Sequence, residues 1–140
     1  MSSTILDLVV MSLAWGPLRS AADLDARTYV AAAIVQVTDD VSEAATLMRL
    51  GWTESRYVPK VGRCARGVTA GGFFQVVGRE PEEWRRACGS VEDQAWLALE
   101  RVRESRAACA HLPEPEQLAI YTRGRCASRA GRVLSRERHR

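Results

Sequence analysis

The chain has 140 residues, 46% of them hydrophobic and 26% charged, which suits one globular domain with a single core. This composition excludes a disordered chain, a collagen-like repeat and a coiled-coil rod. The longest apolar stretch, residues 5–15, is interrupted by Asp7 and is too short to cross a bilayer, so we expect no membrane span. No basic residue precedes that stretch, and we therefore expect no secretory signal peptide.

Hydrophobic periodicity predicts helices along most of the chain, so the expected fold class is all-α. Asp40 and Glu43 have capping-box spacing, and Gly16-Pro17 ends the first helix. Residues 57–78 carry Pro59 and five glycines, which predicts a long irregular segment with at most one short β-hairpin. The predicted helices cover residues 5–14, 22–37, 41–54, 81–88, 90–110, 116–121 and, weakly, 126–136.

Four cysteines, at Cys64, Cys88, Cys109 and Cys126, form no CxxC pair, so we expect no zinc site. If residues 90–110 form one helix, Cys88 and Cys109 lie ~30 Å apart at its two ends, too far for a bridge. We favour Cys64–Cys88 with Cys109–Cys126, because these pairs close short loops. The crossed pairing and buried free thiols are the alternatives.

The C-terminus is strongly basic, although the net charge of the chain is only +3. From Arg123 to Arg140 there are seven arginines and one glutamate. Such a segment is attracted to nucleic acid, anionic lipid or an anionic cell wall. A solvated, frayed terminus is the simpler interpretation.

The most informative region is where the third helix meets the glycine-rich segment. Glu54 stands at a predicted helix end between Trp52 and Tyr57, with Ser55 directly after it. Apolar surroundings raise the pKa of a carboxyl group, and such an acid can protonate a glycosidic oxygen. Alone, this is a weak signal, because a glutamate at a helix end is common.

Two further segments add polar and aromatic groups. In Gly71-Gly72-Phe73-Phe74-Gln75 the glycines allow close approach of the backbone to a ligand, and the Gln75 amide suits sugar hydroxyl or acetamido groups. Tyr121 stands at a predicted helix end shortly before Gly124. Taken one at a time, the aromatic residues are more simply explained as core.

The order of these motifs resembles that of the lysozyme-like lytic transglycosylases and of the related goose-type lysozymes. That family has Glu-Ser, then Gly-Leu-Met-Gln, then Ala-Tyr-Asn-x-Gly. Here Glu54-Ser55 matches the first motif, and residues 72–75 are similar to the second with Phe-Phe in place of Leu-Met. Residues 120–124 are similar to the third, but Thr122 replaces the Asn. The resemblance covers residues 41–132 of one lysozyme-like domain, with accessory helices in 1–40 and a basic tail in 133–140.

The resemblance implies a peptidoglycan-degrading lytic transglycosylase or muramidase, which cleaves the β-1,4 bond between N-acetylmuramic acid and N-acetylglucosamine. Glu54 would be the general acid and, in the lyase reaction, also the base. The substrate-binding residues would be Ser55, Tyr57, Gly72, Phe74, Gln75 and Tyr121. We expect no cofactor and no metal, glycan strands as the partner, a monomer, and action on the cell wall from the periplasm, the cell exterior or a phage particle, as in a phage lysin.

Three alternatives compete with this interpretation. A small helical nucleic-acid-binding protein would use the arginines of residues 123–140 on phosphates. A catalytically inactive descendant would bind the wall without cleaving it. A helical adaptor would use a surface patch of Trp15, Trp84 and Trp96.

Overall fold

The computed structural model describes residues 2–58 and 70–126, and in these ranges it is mainly helical with one two-stranded sheet. This confirms the expected fold class. Two compact units divide the chain, Met1–Leu99 and Glu100–Arg140. The elements are α1 (Ile5–Ser12), α2 (Ala21–Val37), α3 (Val41–Ser55), β1 (Ala70–Gly71), β2 (Val76–Val77), α4 (Pro81–Ala87), α5 (Val91–Ala108), a 3₁₀ turn (Glu114–Glu116) and α6 (Ala119–Arg123).

Side-chain caps fix where the first three helices begin. Thr4 and Asp7 form a complete capping box at α1, with both hydrogen bonds at 3.0 Å. The Ser20 hydroxyl accepts from the Asp23 N–H at the start of α2. At α3, Asp40 accepts from the Glu43 N–H at 2.7 Å, which confirms the predicted cap.

The core of the first unit lies where α1, α2 and α3 pack against one another. Its fully buried apolar side chains contribute most of the stabilisation, at roughly 25 cal/mol per Å² of apolar surface removed from water. They include Leu8, Val30, Ile34, Leu47 and Met48, each at most 2% exposed.

A short hairpin, α4 and residues 91–99 of α5 complete the described part of the first unit. The strands pair antiparallel, with Ala70 opposite Val77 and Gly71 opposite Val76, and both contact α4. The predicted hairpin is therefore confirmed. Gly78 follows β2 and lies so close to α4 that a Cβ would be 2.7 Å from the Trp84 backbone nitrogen.

In the second unit the chain after α5 is broken into two short pieces. A helix over 116–121 was expected; a short helix is present, but it begins only at Ala119 and runs to Arg123. The Ser105 hydroxyl donates to the Gln117 carbonyl at 2.7 Å and accepts from the Ile120 N–H at 3.2 Å. These bonds hold the break between the 3₁₀ turn and α6, because they use backbone groups that a continuous helix would pair internally.

The structure confirms one predicted disulfide. Cys109 and Cys126 are bonded, with their Cα atoms 5.4 Å apart. Cys88 is also disulfide-bonded. The other favoured pair was Cys64–Cys88, and Cys64 lies outside the described residues. The weak helix expected after Cys126 and the basic tail also lie outside them. Across the described ranges no helix combines the length and apolarity that a bilayer crossing requires.

Candidate active site

Glu54 lies half-buried on the last turn of α3, at the point where the chain changes direction. Arg56 and Tyr57 follow it in the left-handed region, with φ of 53° and 58°. The Arg56 N–H still donates to the Trp52 carbonyl at 2.9 Å, which closes the helix. Two consecutive non-glycine residues in this region are unusual and strained, so the surrounding contacts must hold this turn in place.

Ser55 and Tyr57 supply those contacts. The Ser55 hydroxyl donates to the Gly51 carbonyl at 2.9 Å and accepts from the Tyr57 N–H at 3.2 Å. The Tyr57 side chain is 1% exposed, and its hydroxyl donates to the Met48 carbonyl at 2.7 Å. Burial raises the pKa of Tyr57 well above its ordinary value. Both side chains were expected to contact substrate, whereas here their polar atoms are bonded within α3 and the turn that follows it.

A buried arginine, which the sequence analysis missed, lies beneath this turn. Arg27 of α2 is 0% exposed, and its guanidinium donates to the carbonyls of Ser12, Gly16 and Pro17 at 2.8–3.2 Å. It also pairs with Asp23 at 3.1 Å. One guanidinium therefore adds a donor to the Ser12 carbonyl at the end of α1 and bonds two carbonyls of the segment that follows.

The same guanidinium contacts the aromatic residues on either side of Glu54. Its central carbon lies 5.2 Å from the centre of the Trp52 ring and 5.3 Å from that of Tyr57. These are cation–π distances, and such contacts are stronger when buried. Arg27 thus links α1, α2 and the end of α3 that carries Glu54. The spacing of Asp23 and Arg27, four residues apart on one helix, was the available signal.

Asp23 balances this charge and is itself buried. It pairs with Arg19 at 2.7 Å as well as with Arg27, and it accepts from the Arg19 N–H at 3.0 Å. The hydrogen bond from Arg19 is the main cause that holds the pKa of Asp23 far below its ordinary value, and Arg27 adds to it. One carboxylate therefore serves two guanidinium groups.

The motif that contains Gln75 forms the turn of the hairpin. Gly72 has φ of 72°, and a Cβ on it would overlap the Gln94 side chain. The Gln94 side-chain oxygen, Oε1, accepts from the Phe73 N–H at 3.0 Å, and its side-chain nitrogen, Nε2, donates to the Gly89 carbonyl at 2.9 Å. Gln94 thus connects the hairpin turn to the α4–α5 junction, another contact that the sequence analysis missed.

Within this turn Phe74 and Gln75 have different surroundings. Phe74 is 0% exposed and belongs to the core. Gln75 is half-buried with φ of 49°, and its amide nitrogen donates to the Gly72 carbonyl at 2.8 Å. The hydrogen bond orients the Gln75 amide, and its oxygen can still accept a hydrogen bond from a ligand.

Tyr121 belongs to the second unit, where it is half-buried on α6. Gly124 ends that helix with φ of 80°, and its N–H donates to the Ile120 carbonyl at 2.9 Å. The predicted site residues of the first unit thus form two groups. Glu54, Ser55 and Tyr57 lie at the end of α3, and Gly72, Phe74 and Gln75 lie in the hairpin turn. Tyr121 stands in the other unit.

Comparisons with protein families, curated proteins and solved structures find no match to this chain. The motif resemblance to lysozyme-like enzymes therefore stands on the residues of this chain alone. Among the described residues no three His, Cys, Asp or Glu side chains group as a metal site would require.

Proposed function

We propose that the chain is a peptidoglycan-cleaving enzyme of the lysozyme or lytic transglycosylase type, with Glu54 as its acid. The observation that carries the proposal is the place of Glu54: half-buried on the last helical turn, directly before a strained turn held by buried side chains. A general acid must be held in a fixed position, and a backbone held by Ser55 and Tyr57 directly after Glu54 supports that role. The Glu-Ser, Gly-x-x-Gln and Tyr-x-x-Gly order adds support.

The proposed reaction breaks the bond between C1 of N-acetylmuramic acid and the bridging O4 of N-acetylglucosamine. Glu54 in its protonated form gives its proton to O4 as the bond breaks. In the lyase variant the Glu54 carboxylate then removes the proton of the muramyl C6 hydroxyl, whose oxygen bonds to C1. In the hydrolase variant water takes the place of that hydroxyl.

The other motif residues have supporting roles in this proposal. Ser55 and Tyr57 hold the turn after Glu54, because their hydrogen bonds run inside the protein. Gln75 contributes its amide oxygen to sugar hydroxyl or acetamido groups, with Gly72 fixing its orientation. Phe74 anchors the hairpin turn from the core. Tyr121 keeps the substrate-binding role that the motif resemblance implies.

The test compares wild type with Glu54→Gln in the clearing of purified peptidoglycan. Loss of a general acid should lower the rate by roughly 10²–10⁴. Glu83→Gln is the matched control, since Glu83 is another half-buried glutamate of the first unit. We expect it to retain the wild-type rate. Equal rates for Glu54→Gln and wild type would refute the assignment of Glu54. If the folded wild type binds peptidoglycan but does not clear it, the chain is an inactive wall-binding descendant.

A further inference from the structure

Three arginines and two tryptophans group around the C-terminal ends of α1 and α3. The guanidinium carbon of Arg49 lies 5.0 Å from the centre of the Trp15 ring. Those of Arg56 and Arg19 lie 4.6 and 5.7 Å from the Trp52 ring. We call this set the arginine–tryptophan surface: Trp15, Arg19, Arg49, Trp52 and Arg56.

The two tryptophans belong to one continuous surface. A Cβ on Gly16 would overlap the Trp52 ring, so the backbone beside Trp15 lies directly against the second indole. Arg19 also reaches across, since its guanidinium donates to the Arg56 carbonyl. These contacts connect the segment after α1 to the last turns of α3.

Positive charge is in excess on this surface. Arg49 and Arg56 are exposed, and neither pairs with an acidic side chain among the described residues. Arg19 shares the single carboxylate of Asp23 with the buried Arg27. Two guanidinium groups are thus held in place by stacking on indoles while their hydrogen-bond donors remain available.

The surface lies on a different side of α3 from Glu54. Arg49 and Trp52, three residues apart, lie on one face of the helix, and the Arg56 guanidinium lies over the Trp52 ring. At ~100° per residue, Glu54 projects about 140° away from Arg49 around the helix axis. The arginine–tryptophan surface is therefore separate from the proposed acid.

We propose that the arginine–tryptophan surface binds the carboxylates of the peptidoglycan itself, as a second contact outside the Glu54 site. The inference rests on the proposed function for the identity of the polymer. Guanidinium groups match carboxylates with two parallel hydrogen bonds, and stacking lowers the entropy lost when those bonds form. An insoluble polymer that bears many carboxylates can occupy the surface and the Glu54 site together, which raises the effective concentration of cleavable bonds.

Two features favour a carboxylate polymer over nucleic acid. Single-stranded nucleic acid binds by stacking its bases on free aromatic faces. Here guanidinium groups lie over both indoles, Arg49 on Trp15 and three others around Trp52. Duplex binding that depends strongly on salt involves about 6–10 phosphate contacts, more than the arginines of this surface can make.

The test measures cosedimentation with purified insoluble peptidoglycan, using Glu54→Gln as the parent so that the polymer stays intact. Arg49→Gln/Arg56→Gln is compared with Arg85→Gln/Arg103→Gln, which removes the same charge from other exposed positions. We expect the first pair to weaken binding about tenfold at low salt and the control pair to change it less than twofold. The difference should shrink as salt rises.

Chemical amidation of the wall carboxylates should weaken binding of the parent and remove the difference between the two pairs. Equal binding by both pairs would overturn the proposal. So would binding that amidation leaves unchanged, or an equal loss of duplex DNA and anionic vesicle binding by Arg49→Gln/Arg56→Gln. A wild type that releases no muropeptides, beside an intact difference in wall binding, would refute the proposed enzyme while leaving this surface assigned.

Discussion

Each of the two compact units of the chain is stabilised internally by a different kind of contact. In Met1–Leu99 a buried guanidinium, Arg27, joins three helices through hydrogen bonds, an ion pair and two aromatic contacts. In Glu100–Arg140 a disulfide joins Cys109 to Cys126, and the Ser105 hydroxyl bonds the break before α6. The first unit also contains the disulfide-bonded Cys88, so its distinguishing feature is the buried guanidinium, whereas the described contacts of the second unit are a bridge and one hydroxyl.

The difference follows from how much apolar surface each unit buries. The first unit has a three-helix core, which can tolerate the desolvation of a charged pair when its hydrogen bonds are satisfied. The described residues of the second unit contribute few fully buried side chains: Val102, Ser105, Cys109 and Ala119. A small core supplies little stability, so a cross-link that restricts the unfolded chain matters more there. Loss of the Arg27 charge should therefore destabilise the first unit, and loss of the Cys109–Cys126 disulfide should destabilise the second.

The largest expected effect is that of Arg27→Met. It removes the guanidinium but leaves Asp23 buried and takes the Arg27 donors away from the Gly16 and Pro17 carbonyls, so we expect a loss of about 3–5 kcal/mol in the free energy of unfolding. Urea denaturation followed by tryptophan fluorescence measures it. Arg19→Met is the matched control, because Arg19 pairs with the same Asp23 while 42% exposed. A loss no larger than that of Arg19→Met would show that the buried Arg27 stabilises the fold no more than an exposed ion pair does.

Cys109→Ser/Cys126→Ser should have the next largest effect. The bridge closes a loop over a separation of 17 residues, so its loss should cost about 2–4 kcal/mol. Amide hydrogen exchange should show lost protection in residues 100–126 and unchanged protection in α1–α3. The double variant is used instead of a reductant because Cys88 is also disulfide-bonded. Equal loss of protection in both units would contradict the contrast drawn between them.

Ser105→Ala tests the polar contact of the second unit. The substitution removes one hydroxyl that serves both Gln117 and Ile120, leaving two backbone groups without this partner. We expect a loss of about 1–3 kcal/mol, measured by thermal unfolding. The exposed Ser42 of α3 is the comparison, and Ser42→Ala should stay within about 0.5 kcal/mol. Similar values for both variants would deny Ser105 its structural role.

The smallest expected effect is the loss of stability at low pH that comes from Asp23. The pKa of Asp23 is lowered in the folded protein, mainly by Arg19, so the unfolded chain binds this proton more readily. Stability from this group is present above about pH 4, the ordinary range of Asp, and declines as pH falls further, by at most ~1.4 kcal/mol per pH unit. Urea unfolding between pH 5 and 2 should show a shallower decline for Asp23→Asn. Asp25→Asn, at an exposed site on the same helix, is the control for removing a carboxylate.

The sequence predicted the features of the fold that depend on neighbouring residues. The Asp40 cap, the break after α1, the hairpin in the glycine-rich segment and the start of α4 at Pro81 all follow from local chemistry. The split of the expected 116–121 helix depended on Ser105, twelve residues away, and local patterns carry no such information.

The candidate site was predicted in part. Glu54 does end a helix, as its motif indicated. Arg27 was missed because an arginine on an alanine-rich helix usually faces solvent, and its partners come from two other segments. The left-handed turn at Arg56 and Tyr57 had no glycine or asparagine to mark it.

The most direct test of the proposed function is the mass of the muropeptides released from purified peptidoglycan by wild type and by Glu54→Gln. We expect fragments with N-acetylmuramic acid at the C1 (reducing) end from wild type only, lighter by one water for a lyase than for a hydrolase. Fragments with N-acetylglucosamine at the reducing end, or equal release by Glu54→Gln, would contradict the proposed function.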